Sequence, residues 1–203
     1  MTVLSTTKDV IFYILPHIKG RVLDLGAGMA KYRAMIQENA SDYLACDVKK
    51  NENIDIVCDV TNLVFPPESF DTVISTQVLE HVDNPFIVAQ EIKKILKTGG
   101  SAIITAPFMF PFHADPKDNF RFSRDGLEEI FKSIGFEIVD SGIYGGFFMV
   151  ISEMIHFSWF NPYSHKSNTN RLMNLIEKIA KFLDKIIPSK IIYANSFVIA
   201  KKK

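Results

Sequence analysis

A chain of 203 residues, 47% of them hydrophobic, is long enough to bury a sizeable core and short enough for one domain. Its 23 basic and 23 acidic side chains cancel, which excludes a broad basic surface, so no nucleic-acid partner is expected. No stretch reaches the ~18 uninterrupted apolar residues of a spanning helix, and Met1 to Asp9 lack a signal-peptide pattern. A cytoplasmic location is expected, with Cys46 and Cys58 as reduced, buried thiols.

In chain order, Val10, Ile11, Ile14, Leu15 and Ile18 show helical spacing over Thr6 to His17, with Pro16 near the end. Arg21 to Leu25 reads as a short apolar strand and Lys31 to Asn39 as a helix. Tyr43 to Asp47 and Ile54 to Cys58 follow as strands, each finished by an acid, Asp47 and Asp59. Phe70 to Ser75 is a fourth strand, and Pro85 to Leu96 a helix that Thr98-Gly99-Gly100 is expected to stop. Ala102 to Ala106 is a fifth strand. Asp125 to Ile134 is a helix capped by Ser123 and ended by Gly135, and Phe136 to Val139 is a sixth strand. Ile191 to Ala200 is a late apolar strand.

Strands that alternate with helices and are apolar throughout predict a parallel sheet covered on both faces. Ligands of such sheets bind beyond the carboxyl ends of the strands, where the acids just named lie. The first turn, Asp24-Leu25-Gly26-Ala27-Gly28, removes side chains where a ligand must approach the backbone. Asp24 can hold the turn or accept from a ligand amine. Asp47 can pair with ribose hydroxyls, and Asp59 can accept from an adenine amine. The nicotinamide fingerprint G-x-G-x-x-G fails here, because Lys31 stands where its third glycine would fall.

The set Asp24-Leu-Gly26-Ala-Gly28-Met-Ala30, Asp47, Asp59, Phe70-Asp71, Gln77-Val-Leu-Glu80-His81-Val82 and Leu96-Lys-Thr-Gly99-Gly100 resembles a class I S-adenosylmethionine-dependent methyltransferase of the type 11 domain family. The resemblance covers roughly Arg21 to Val139. It implies an α/β fold: a doubly wound, Rossmann-like seven-stranded sheet in three α/β/α layers, with the last strand antiparallel. It also implies S-adenosylmethionine as cofactor. Asp24, Gly26 and Gly28 would line its methionine end, with Ala27 in the same turn. Asp47 and Val48 would sit at the ribose, Asp59 and Val60 at the adenine, and Thr76 and Gln77 near the reacting methyl. Ala30 departs from the family, which often has glycine there.

Methyl transfer needs a base only when the acceptor must lose a proton. The candidates lie after the fifth strand, in Pro107 to Ser123. His113 suits proton acceptance from a hydroxyl, and Asp118 and Arg121 can bind a polar acceptor or each other. No metal is expected, since His113 and Asp115 supply only two ligands. The reading is one methyltransferase domain over 1–203. It comprises an N-terminal helix (1–20), a cofactor-binding core (21–141), an apolar helical insert (142–190) and the last strand (191–200). Within the insert, Leu172, Leu175, Ile176, Ile179, Leu183 and Ile186 share a helical face over Asn170 to Ile187. A lid, a contact with a membrane surface or lipid-linked substrate through 147–187, and a dimer interface are all compatible with it. The expected activity is methyl transfer to a small-molecule or sugar-containing acceptor, at oxygen. The alternatives are a non-catalytic cofactor-binding protein and a nicotinamide-dependent oxidoreductase.

Overall fold

Apolar strands interleaved with helices leave few arrangements other than a parallel sheet. The computed structural model describes residues 3–114, 117–159 and 167–203. Its strands are β1 (Arg21–Leu25), β2 (Asp42–Asp47), β3 (Ile56–Val57), β4 (Phe70–Thr76), β5 (Leu96–Pro107), β6 (Phe136–Tyr144) and β7 (Asn195–Lys202). They form one seven-stranded sheet in the order β3-β2-β1-β4-β5-β7-β6. The first five pair in parallel, and β7 runs antiparallel to both β5 and β6. This is the Rossmann-like sheet with an antiparallel last strand that the sequence implies.

Helices cover both faces. α1 (Thr7–Ile14) and α2 (Arg33–Gln37) bring Val10, Ile11, Ile14 and Ile36 against Val22, Ile74, Ile103 and Ile199. On the other face, α3 (Pro85–Ile95) and α4 (Arg124–Ser133) bring Val88, Ile92, Leu127 and Phe131 against Leu23, Val73, Ile104 and Val198. α1 starts on a capping box: Thr6 takes the Asp9 amide, and the Asp9 carboxylate takes the Thr6 amide.

Several boundaries move, each for a local reason. α3 ends at Ile95 because Leu96 is already extended, so Thr98-Gly99-Gly100 lies inside β5 rather than stopping the helix. A side chain at Gly100 would meet the carbonyls of Lys97 and Asp71 at 2.8 and 3.0 Å. β6 runs on to Tyr144 because it pairs along the whole of β7, across an irregularity between Ile138 and Asp140. The insert therefore starts after Tyr144, not at Gly142. β3 keeps only two residues, β7 begins at Asn195 rather than Ile191, and α2 is confined to Arg33–Gln37.

The thiol expectation is overturned. Cys46 and Cys58 form a disulfide, their Cα atoms 5.9 Å apart. The parallel register that sets Cys46 beside Ile56 and Asp47 beside Val57 carries Cys58 back alongside β2. Twelve residues of separation hide this adjacency from the sequence.

The insert is a helical pair, α5 (Phe147–Trp159) and α6 (Ser167–Ile186). Asp184 on α6, fully buried, accepts from the amides of Phe148 and Met149 at 3.0 and 3.1 Å and so caps the first turn of α5. The apolar residues of α6 do not share one buried face. Met173 and Ala180 are buried, while Leu172, Leu175, Ile179, Phe182 and Ile186 are each about half exposed or more. No helix among the described residues is long and apolar enough to cross a membrane.

Candidate cofactor and acceptor site

The carboxyl ends of β1, β2 and β4 open onto a cleft of about 520 Å³. It is lined by Gly26, Gly28, Asp47, Val48, Asp59, Val60 and Gln77, together with Val78 and His81. Three larger clefts, of about 690, 680 and 600 Å³, include no residue of the glycine turn. Seven of the ten sequence-predicted cofactor residues thus meet at one place. Asp24, Ala27 and Thr76 are not among the lining residues.

The turn after β1 is built on backbone geometry that side chains resist. Gly26 has φ +73°, and a Cβ there would meet Val78 Cγ2 at 2.4 Å. Gly28 has φ +57°, and a Cβ there would meet nothing within 4 Å, so the turn faces open space at that point. The amides of Gly26 and Ala27 both donate to the Cys46 carbonyl, at 2.8 and 3.0 Å, tying the turn to the end of β2. Ala30 also adopts positive φ, +48°, a conformation that favours glycine.

Asp47 ends β2. Its carboxylate accepts from the amides of Gly28 and Lys49, both at 2.9 Å, so it fixes the turn and keeps lone pairs for hydroxyl donors. Asp59 accepts from the Thr61 hydroxyl and amide at 2.7 and 2.8 Å, which hold its carboxyl below the usual range. Asp24 lies beneath the turn, 5% exposed, and accepts from Tyr43 Oη at 2.5 Å. Burial pushes its carboxyl up to about 6, against the opposing pull of the Tyr43 hydroxyl.

Gln77 follows β4 with φ +56°, a strained value for a side chain with a Cβ. Its amide nitrogen donates to Thr105 Oγ1 at 3.1 Å and to Tyr144 Oη at 2.9 Å. Tyr144, buried at the end of β6, also bonds Thr7 at 3.1 Å, so Gln77 is held from three elements. Tyr144 carried no signal in the sequence beyond its apolar surroundings.

The loop after β5 folds back over this edge. Arg121 spends all five donors on the loop itself, in a bidentate pair with Asp118 and bonds to the carbonyls of Phe110, Pro111 and Phe120. The guanidinium holds the Asp118 carboxyl down to about 2, and that carboxylate accepts the His113 amide at 2.9 Å. Asp118 and Arg121 therefore bond each other and shape the loop that presents His113. Asn119, unremarked in the sequence, closes the loop: its amide donates to the Glu80 carbonyl at 2.7 Å and its side chain to the Val82 carbonyl at 3.0 Å.

His113 sits against His81, Phe110 and, from α5, Phe157, with ring centroids 5.2, 5.1 and 6.2 Å away. Beneath them lies Glu80, 0% exposed, whose two carboxylate oxygens have no hydrogen-bond partner. Burial pushes its carboxyl up to about 8, against the opposing pull of the Arg121 charge. The Gln77-to-Val82 motif signalled Glu80 without giving it a role. Asp115 and Phe160 lie outside the described residues.

Comparisons with known proteins agree with this geometry. Residues 23–104 match the family model for a methyltransferase domain. An uncharacterized protein of Methanocaldococcus jannaschii is 28% identical over 146 residues, covering 64% of this chain and 71% of that protein. Phosphoethanolamine N-methyltransferase 3 of Arabidopsis thaliana is 32% identical over 111 residues, covering 46% of this chain and 23% of its own length. Among solved structures, a SAM-dependent methyltransferase from Archaeoglobus fulgidus superposes with a TM-score of 0.65 at 16% identity, covering 97% of this chain and 95% of that one. That likeness is one of fold.

Proposed function

We propose that this chain, residues 23–104 of which match the family model for a methyltransferase domain, is a class I S-adenosylmethionine-dependent methyltransferase that methylates a small-molecule or sugar-containing acceptor at oxygen. The observation that carries the reading is the single cleft in which Gly26, Gly28, Asp47 and Asp59 meet. The residues suit the cofactor: open space over Gly28, carboxylates for ribose and adenine donors, and no glycine at Lys31 for a pyrophosphate. Asp47 and Val48 would hold the ribose, Asp59 and Val60 the adenine, and the Gly26-to-Gly28 turn with Gln77 the methionine end. Asp24 supports that turn from beneath.

When bound, S-adenosylmethionine supplies a methyl group on a leaving group that is already activated. What remains for the protein is to place the acceptor, take its proton and exclude water. His113 is the residue we assign to the acceptor oxygen. Its Nδ1 faces the Pro111 carbonyl at 3.0 Å, so Nδ1 carries the hydrogen and Nε2 presents a lone pair. Phe110 and Phe157 wall this side and favour an acceptor with an apolar portion.

Calorimetric titration with S-adenosylmethionine and S-adenosylhomocysteine tests the reading. Both should bind at one site per chain, and Asp47→Ala should weaken both by about tenfold or more through loss of a charge-assisted bond pair. Absence of binding by either at millimolar concentration sinks it.

A further inference from the structure

Glu80, His81 and His113 form a group that hydrogen bonding does not explain. Glu80 and His81 come from the single turn after β4, a 3-10 helix over Leu79–His81, and His113 from the loop after β5. Their ligand-type atoms all lie within 4.8 Å of one another. His81 Nε2 is 3.7 Å and His113 Nε2 3.9 Å from Glu80 Oε1, too far for hydrogen bonds.

The imidazole tautomers are set from behind. His81 Nδ1 lies against the Lys117 carbonyl at 2.5 Å and His113 Nδ1 against the Pro111 carbonyl at 3.0 Å. A carbonyl can only accept, so each Nδ1 carries the hydrogen and each Nε2 presents a lone pair. Both Nε2 atoms lie within 4 Å of a fully buried carboxylate whose oxygens have no hydrogen-bond partner. Three ligand-type groups thus converge without a hydrogen bond among them. Buried polar atoms are rarely left in this state, and a cation satisfies all three at once.

We propose that Glu80, His81 and His113 bind a divalent transition-metal ion of the zinc class. Two imidazoles and one carboxylate form the ligand set of catalytic sites that keep open positions. The two carbonyls behind the rings supply the outer hydrogen bonds that metal-ligating histidines carry. Ligand atoms around such an ion lie roughly 3.4 Å apart at bond lengths of about 2.1 Å, so the 3.7 and 3.9 Å separations close with small ring rotations. The His81 and His113 side chains keep 20% and 15% of their surface exposed, which leaves the remaining position open. His81 also lines the cofactor cleft, so that position borders the cofactor. On the methyltransferase reading, on which this role rests, an acceptor hydroxyl would coordinate there and release its proton to water more readily. Nε2 of His113 then acts as ligand and not as base.

The test uses the full chain without a polyhistidine tag, titrated with cobalt(II) chloride and followed by visible absorption, in parallel with S-adenosylmethionine titration. One cobalt per chain is expected. Affinity should fall at least about tenfold in Glu80→Gln and in His113→Ala, with cofactor affinity retained. If Glu80→Gln does not fold, His113→Ala, altered in a loop, decides alone. Protein that binds the cofactor but no cobalt, or cobalt uptake unchanged in His113→Ala, overturns the metal site. Cobalt binding without cofactor binding keeps the site and removes the methyl-transfer role; binding of neither removes both.

Discussion

Asp24 is a buried acid whose environment opposes its charge. Burial, reinforced by the nearby Asp47 carboxylate, outweighs the Tyr43 hydroxyl and the Arg33 guanidinium and lifts its carboxyl to about 6 from 3.8. A folded-state value above the unfolded one means that the native chain binds the proton more tightly. The associated stability is present in full below about pH 4 and is lost as pH rises through 6, an effect of about 3 kcal/mol. Asp24→Asn keeps the shape and an acceptor for Tyr43 while removing the titration. Urea unfolding of the ligand-free chain should show the variant close to wild type at pH 4 and more stable by up to about 3 kcal/mol above pH 6.5. Parallel pH profiles for the two proteins would rule Asp24 out as the source.

At the scale of elements, two tethers hold the site and its cover. The Cys46–Cys58 disulfide joins β2 to the two-residue β3, and each cysteine directly precedes a candidate cofactor acid, Asp47 or Asp59. Closing a loop of this length is worth about 3 kcal/mol. Reduction, or Cys58→Ser, should lower thermal stability and weaken S-adenosylmethionine binding severalfold in calorimetry, because Asp59 loses its fixed distance from Asp47. Unchanged affinity would mean that the Asp55 carboxylate, bonded to the Ala45 amide at 2.7 Å and Arg33 at 2.9 Å, suffices to hold this edge. The second tether is Asp184. Asp184→Ala strips two amides at the start of α5 of their acceptor in a buried place, where the carboxylate packs so closely on Gly146 that a Cβ there would lie 2.6 Å from Asp184 Oδ1. A loss of about 2–3 kcal/mol is expected, with hydrogen exchange accelerated in α5 before the sheet. The elements themselves were legible in the sequence wherever the chemistry is local. Strand ends with acids placed Asp47 and Asp59, and the glycine turn announced itself by composition. Cys46 with Cys58, Glu80 with His113, and Asp184 with Phe148 were not legible, because each pair meets through register or packing across intervening chain. Even the fate of Arg121 needed the loop's own carbonyls.

Among the described residues, the outer face of α6 is a feature that the core does not account for. Leu172, Leu175, Ile179, Phe182 and Ile186 are 48–62% exposed and recur at helical spacing, forming an apolar stripe about 21 Å long. Arg171, Lys178 and Lys185, all exposed, run along one side of it, whereas Glu177 and the buried Asp184 lie toward the opposite side. A lid that packs on the domain needs only the inner face, with Met173 and Ala180. An apolar stripe edged by cations matches the interface of an anionic bilayer, where a helix lies in the plane of the headgroups. Three cations at about 1 kcal/mol each give roughly a hundredfold preference for vesicles containing phosphatidylserine over phosphatidylcholine alone. Salt should erode that preference. In a sedimentation assay, Leu175→Glu and Phe182→Glu should abolish vesicle binding while leaving S-adenosylmethionine affinity intact, because neither residue lines the cofactor cleft. If the same substitutions instead convert a dimer to a monomer and vesicles never bind, the stripe joins two copies of the chain, and the acceptor need not be carried on a membrane.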